Sequence, residues 1–267
     1  MKNYKWNGKP KYEEGVIVGC TQEQEWLLPW WWMNFRLHSN HPVTFFNFGN
    51  MTEKGINWCR NRGEVILLDL PDNLFTSKDH IDPKKVQEWE KTWWHGAAVW
   101  DLRILWYKKI FTFLNTPYRK TVWLDLDCQV RGSINPLFSE YLKTGFGISA
   151  ESDTNQDILR QKGVLLPNEV MYNSGVISFT YGSQIVQDWL DMIIDHNQEY
   201  MADQQLLTRM LYLKKPPFDN IPLIYNWAPV YGDNPQAVII HWWGPLKSHL
   251  AEFIKVLHSQ CSINLAL

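Results

Sequence analysis

A chain of 267 residues is long enough for one large α/β domain or two small ones. Its 26 Lys and Arg against 28 Asp and Glu leave a formal net charge of -2 and no long basic stretch. That excludes nucleic acid as the main partner, because binding phosphate needs concentrated positive charge.

The cysteines Cys20, Cys59, Cys128 and Cys261 stand far apart and form no CxxC. A disulfide framework and a zinc cluster are therefore not expected, and a reducing cytoplasm is. The N-terminal segment MKNYKWNGKPKYEEG is polar, so no secretory signal is expected there. No uninterrupted apolar run approaches the ~18 residues of a membrane span.

The first buried strand is predicted at Val16–Cys20 (VIVGC), followed by a helix over Glu25–His38 with Pro29 in its first turn. That helix carries Trp30, Trp31 and Trp32, which cover too much of its circumference to face one side. They are expected to serve the core and an exposed contact with membrane or partner. Strands follow at Val43–Phe48 and Val65–Leu70. A long helix is predicted over Ala97–Leu114, then a turn at Asn115–Pro117 and a strand at Thr121–Leu126. Further strands are predicted at Phe146–Ala150, Gly175–Phe179 and Val238–Ile240, with helices at Ser183–His196 and Asp203–Leu213. The alternation predicts an α/β fold, a mostly parallel Rossmann-like sheet flanked by helices, with ligands at the carboxyl ends of its strands. One domain is expected over residues 1–247, and residues 248–267 read as an amphipathic tail.

The segment VWLDLDCQVRG, Val122 to Gly132, ends an apolar run with two carboxylates. Alternation along a strand would point Asp125 and Asp127 to one side. Two like charges held close need a cation, a hydrogen-bond cluster or protonation to offset their repulsion. A hard divalent cation, Mg²⁺ or Mn²⁺, favours such oxygen ligands and often bridges them to substrate phosphates. A DxD alone is weak evidence, since chance matches are common.

Two later segments bear on the choice. In VIIHWWGPLK, Val238 to Lys247, His241 can supply an imidazole, Gly244 a backbone N–H at close approach, and Lys247 a charge for phosphate. The same residues also read as a strand followed by a Gly-Pro turn. In VMYNSGVISF, Val170 to Phe179, polar Asn173 and Ser174 and small Gly175 interrupt an apolar segment. They fit either an ordinary turn or close approach of a polar ligand.

Taken in order, LDLD, YNSGV, ADQQLL and HWWGPLK resemble the retaining glycosyltransferases of family 8, over roughly Val16 to Lys247. The resemblance implies a GT-A fold, a nucleotide-sugar donor and a Mn²⁺ or Mg²⁺ ion. By position, Asp125, Asp127 and His241 look like the metal ligands. Asp125 and Leu126 would adjoin the donor, and Gly244 and Lys247 would clamp its diphosphate. His95 and Arg103, in HGAAVWDLR, look like further donor contacts. Asn173, Ser174 and Gly175 look like the sugar-binding turn, and Asp203 and Gln204 like the pair facing the anomeric carbon and the sugar hydroxyls.

Cys20 and Thr21 occupy the base-and-ribose segment, with Thr21 where the family often has an acidic residue. A UDP donor remains the expectation. Ser248 and His249 stand where a Pro-Trp pair is usual, and Glu151 and Asp153 compete for a family acidic position. The implied reaction is hexose transfer with retention, by front-face attack, to a glycan or glycolipid acceptor. Trp227, Trp242 and Trp243 would either stack on the acceptor or close the core. A peripheral contact with the inner face of a membrane goes with that reading. An inverting transferase and a nonenzymatic nucleotide-sugar-binding protein are the other two classes the residues admit.

Overall fold

The computed structural model describes residues 4–71, 73–92 and 98–260. In chain order the elements are β1 (Tyr12–Cys20), α1 (Leu28–His38), β2 (Val43–Asn47), α2 (Glu53–Arg60), β3 (Glu64–Leu67), α3 (Pro83–Thr92), α4 (Val99–Leu114) and β4 (Tyr118–Leu124). They continue with β5 (Cys128–Val130), β6 (Phe146–Ala150), α5 (Asp153–Gln161), β7 (Tyr172–Thr180), α6 (Gln184–His196), α7 (Asp203–Lys214), β8 (Asp219–Asn220), β9 (Ile239–His241) and α8 (Leu246–Gln260).

The central sheet has seven strands in the order β3-β2-β1-β4-β7-β6-β8. The β3-β2-β1-β4 half is parallel, β7 runs antiparallel to both β4 and β6, and β8 is parallel to β6. Successive residues of β1 serve opposite faces, as pleating requires. Val16 and Val18 join Trp30, Trp31 and Phe35 of α1 in one core layer. Ile17 joins Ile110 and Phe113 of α4, Trp189 of α6 and Leu206 of α7 in the other. Such a strand reads as an unbroken apolar run because both its faces are covered.

Several expectations need revision. The helix predicted from Glu25 begins as a 3-10 segment, Gln22–Leu27, and becomes α-helical only at Leu28, with Pro29 in its first turn. Trp30 and Trp31 are fully buried. Trp32 packs on Phe45 and Trp58 and carries the Arg36 guanidinium 4.2 Å from its ring centroid. Packing and a cation–π contact therefore account for the triplet. Helices α2, α3 and α5 were not anticipated. α5 is short and polar, capped by Ser152 Oγ accepting from Asn155 N at 3.3 Å. α8 starts at Leu246 and carries Leu250 and Ile254 into the first core layer, so the predicted boundary after Lys247 falls inside a packed helix. Among the described residues no helix is long and apolar enough to cross a membrane.

Near the site, β4 stops at Leu124. Asp125 to Asp127 form a tight turn, closed by Cys128 N donating to Asp125 O at 3.0 Å, rather than the strand end the alternation argument assumed. The chain then enters β5, which pairs antiparallel with β9 in a separate two-stranded sheet with Cys128 opposite His241. That pairing carries the histidine, 114 positions further along by number, to the aspartate turn.

Candidate active site

The carboxyl ends of β4 and β9 open into a cavity of about 340 Å³, with Asp125, Asp127, His241 and Lys247 on its wall. Asp203, Gln204, Asn173, Ser174, Gly175, Glu151 and Gly244 also line it. The structure thus gathers the aspartate turn, the first residues of β7, the start of α7 and the segment after β9 around one space.

His241 is the best-defined group. Its Nδ1 lies 2.9 Å from Asn226 Oδ1, and Asn226 Nδ2 in turn donates to Asn173 Oδ1 at 3.0 Å. Because that second bond makes Oδ1 the acceptor, the histidine proton is on Nδ1 and Nε2 faces the carboxylates. A partner of this kind fixes the tautomer and ring plane of a metal-binding imidazole. Nε2 stands 3.3 Å from Asp127 Oδ1 and 3.6 Å from Asp125 Oδ2, yet it is buried and not aligned for a hydrogen bond with either. Burial lowers the pKa of His241, but the two aspartates outweigh it and raise the value to about 9. Gly175 makes room for the ring: a Cβ there would meet His241 Cε1 at 2.0 Å. Its role is steric: Asn173 to Gly175, expected as a turn, lie within β7 and form the floor under the imidazole.

Cationic groups already hold the aspartates. Lys247 Nζ lies 3.0 Å from Asp127 Oδ2. Burial opposes ionisation of Asp127, but Lys247 and His241 more than offset it, so its pKa falls far below the usual carboxylate range. Asp125 accepts from Trp123 Nε1 at 2.6 Å and pairs with Lys109 Nζ at 3.1 Å. Lys109, on α4, was missed by sequence reasoning. It is buried, reaches Asp203 Oδ2 at 3.6 Å, and donates to Ser174 O and Oγ at 3.1 Å each. Burial alone would lower its pKa, but Asp125 and Asp203 raise it. The available signal was a lysine on the inward face of an otherwise apolar helix, beside Ile110 and Phe113 in ILWYKKIFTF. A buried lysine needs a carboxylate partner.

On the other side of Lys109 from Asp125, Ser174 Oγ donates to Asp203 Oδ2 at 3.0 Å and Ser174 N to Gln204 Oε1 at 3.2 Å. Burial raises the pKa of Asp203, despite Lys109. Gln204 Nε2 points at Glu151 Oε1, 3.4 Å away. Glu151 is buried and also accepts from Asn173 Nδ2 at 2.7 Å, from Asn155 Nδ2 at 3.2 Å and from the Tyr231 hydroxyl. Asp153 is exposed in the first turn of α5, so of the two candidates only Glu151 reaches the cavity.

Other predicted residues sit elsewhere. Arg103 is buried, with its guanidinium on Asn197 O and Thr76 O and over the Trp89 and Tyr107 rings. Among the described residues it is not part of the cavity wall, and the cation facing the aspartates from α4 is Lys109. Cys20 and Thr21 are buried at the end of β1, where Cys20 Sγ contacts Thr21 O at 3.2 Å. Thr21 Oγ1 lies 3.4 Å from Gln24 Oε1. Leu126 is a core residue, and His95 lies outside the described residues. Of the three tryptophans considered for an acceptor, Trp243 lines the cavity and Trp242 packs on the first core layer. Trp227 bonds Gly232 O at 2.9 Å. Gly244 has φ 61°, a left-handed conformation that favours glycine, and it directs the chain from β9 into α8.

A buried Asp127 carboxylate and a half-buried Asp125 carboxylate, each within 3.6 Å of a buried imidazole nitrogen that lacks a hydrogen bond, fit a divalent cation of the Mn²⁺ type. The Asp127 and His241 ligand atoms also lie with that of Cys128 inside a 4.8 Å cluster.

The model of glycosyl transferase family 8 matches residues 99–250, which spans the aspartate turn, the cavity and the segment after β9. Among solved structures, the chain is similar to the galactosyltransferase LgtC in complex with donor and acceptor sugar analogs. The TM-score is 0.59 at 14% identity, covering 95% of this chain and 97% of that one. It is also similar to mouse xyloside xylosyltransferase 1 (TM-score 0.52, 15% identity, 86% and 97% covered). The glycosyltransferase GlyE of Streptococcus pneumoniae TIGR4 aligns with TM-score 0.56 at 16% identity, covering 95% of this chain and 64% of that one. No curated protein sequence matches. At these identities the likeness speaks for the fold, which is GT-A.

Proposed function

Because the chain belongs to glycosyl transferase family 8, we propose that this glycosyltransferase moves a hexose from UDP to a glycan or glycolipid acceptor, with a divalent metal and with retention of anomeric configuration. The observation that carries the reading is the convergence of Asp125, Asp127, His241 and Lys247 with Asp203, Gln204 and Ser174 on one cavity.

Asp125, Asp127 and His241 would hold the ion, Mn²⁺ or Mg²⁺, which supplies Lewis-acid neutralisation of the departing diphosphate. Asn226 accepts from His241 Nδ1, so Nε2 is the nitrogen that would give up its proton and face the ion. Lys247 leaves Asp127 for a phosphate oxygen, and the Gly244 N–H approaches the same group. Both are charges set in place before reaction. Asp203, Asn173 and Ser174 hold sugar hydroxyls, while Lys109 keeps Asp203 and Asp125 from repelling each other. Gln204 is an amide and a poor nucleophile, so it supports the positive charge developing at the anomeric carbon. The acceptor hydroxyl attacks from the leaving-group side. Its oxygen bonds to the anomeric carbon, the bond to phosphate breaks, and the hydroxyl proton passes to the departing phosphate oxygen. In this reading the enzyme is cytoplasmic, and a glycolipid acceptor would bring it to the inner face of a membrane as a peripheral contact.

A panel of nucleotide sugars with Mn²⁺, scored by thermal shift and slow donor hydrolysis, tests it. A ligand at a hundredfold its dissociation constant adds ~2.7 kcal/mol of stability, which is measurable. UDP-sugars should give the largest shift and release UDP. A larger shift with GDP, CMP or TDP donors refutes the UDP assignment.

A further inference from the structure

The residue after the aspartate turn is a cysteine, and the two-stranded sheet places it directly opposite His241. Directly opposed residues of an antiparallel pair project to the same face with Cβ atoms about 4.5–5.5 Å apart. The Asp127, Cys128 and His241 ligand atoms all lie within 4.8 Å of one another, and all three residues are buried. Among the described residues Cys128 Sγ finds one acceptor, Gly175 O, at a weak 3.7 Å. Above it, His241 Nε2 is buried without a hydrogen bond. The constellation is one oxygen, one nitrogen and one sulfur donor, with Cys128 nowhere needed by the transfer chemistry.

The geometry points to a second mode of metal binding: a thiophilic divalent cation, of the zinc or cadmium class, seated on Asp127, Cys128 and His241 in competition with Mn²⁺. Hard Mn²⁺ selects oxygen and imidazole and ignores a neutral thiol, whereas zinc binds thiolate, imidazole and carboxylate together and ranks above Mn²⁺ in general affinity. On binding, the Cys128 S–H bond breaks, the proton goes to solvent and the sulfur pair bonds to the ion. The two seats share Asp127 and His241, so they exclude each other. Zinc is then a competitive inhibitor that draws the ion toward the floor of the site, away from Asp125. The inference rests on Asp127 and His241 being metal ligands, as the proposed function holds.

The test uses full-length protein carrying Cys261→Ser, with Cys128 intact, Cys128→Val or Cys128→Ala. Cadmium titration is read by the thiolate-to-metal charge-transfer band, and zinc loading by X-ray absorption. Intact Cys128 should give a stoichiometric band and a zinc–sulfur shell at about 2.3 Å. Both should vanish in either variant, with zinc affinity falling about tenfold or more. Mn²⁺ titration of the same proteins should be unchanged. A missing band and missing sulfur shell with Cys128 intact overturn the inference, as does a band that survives both variants. The X-ray absorption result needs no variant, so a folding failure does not remove the test. If Mn²⁺ fails to bind the intact protein, the proposed function falls instead. Mn²⁺ binding without a sulfur-bound zinc leaves that function standing and sinks only this inference.

Discussion

Lys247 Nζ sits 3.0 Å from Asp127 Oδ2, so the lysine proposed for the diphosphate is held by a carboxylate proposed for the metal. The side chain is about two-fifths exposed and can leave. Its positive charge stands where the ion's charge would act. On the proposed function, metal entry and release of Lys247 toward phosphate would be one exchange, each favouring the other.

Lys247→Ala should separate the two roles. Losing a charge-assisted contact to phosphate is worth roughly 1.5–3 kcal/mol, and ~1.36 kcal/mol is tenfold in rate. Transfer should fall about tenfold to a few hundredfold. Mn²⁺ should bind at least as tightly as to the wild type, because a competitor for Asp127 is gone. Transfer assays beside Mn²⁺ titration decide, and weaker Mn²⁺ binding with full activity would reverse the assignment.

Lys109→Met should be the most destabilising single change in the site. It leaves Asp125 and Asp203 facing each other without their shared cation, and breaking a buried ion pair by removing one partner costs about 3–5 kcal/mol. Saturating Mn²⁺ should restore part of that loss, because it neutralises Asp125 independently. Melting curves with chelator and with Mn²⁺ check this. Equal losses in both conditions would mean that Asp125 does not meet the ion.

Gly175→Ala tests the floor under His241. A Cβ would sit 2.0 Å from Cε1 and 2.4 Å from Nδ1 of the ring, and overpacking of this kind costs about 1–3 kcal/mol. The ring must move, so Mn²⁺ affinity should fall well beyond what the stability change explains. A variant that melts lower but binds Mn²⁺ normally would show that the ring has another seat.

Arg103→Met should cost stability without touching the donor. The guanidinium satisfies buried carbonyls of Thr76 and Asn197, and hydrogen bonds to charged groups contribute roughly 1.5–3 kcal/mol. UDP affinity of the folded variant should be unchanged. A large rise in the UDP dissociation constant at constant melting temperature would return Arg103 to the donor-contact role its spacing suggested.

Much of the site was legible because its chemistry clusters in sequence. Asp125 and Asp127 share a turn, Asn173 to Gly175 form one segment, and His241 to Lys247 another. The sheet was legible because strands covered on both faces, such as Val16–Cys20, read as apolar runs. What escaped was set by long-range pairing. β5 is only three residues long, and nothing in Cys128–Val130 announces that it will pair with Ile239–His241. Lys109 escaped because a single lysine on a helix reads as solvated until the packing of α4 is known. Arg103 shows the converse: its spacing suits a donor contact, while the fold sets its guanidinium on the carbonyls of Thr76 and Asn197, an environment that only the packing reveals. α5 was missed because a polar helix of nine residues carries little apolar periodicity.

The central claim is a metal-dependent nucleotide site built on Asp125, Asp127 and His241. Calorimetric titration of UDP into chelator-treated protein, with and without added Mn²⁺, in wild type and Asp127→Asn, tests it most directly. The account predicts tight binding only for wild type with Mn²⁺, and weak binding in the other three conditions. Equal UDP affinity with and without Mn²⁺ in the wild type, or an Asp127→Asn variant that binds like it, would contradict the account.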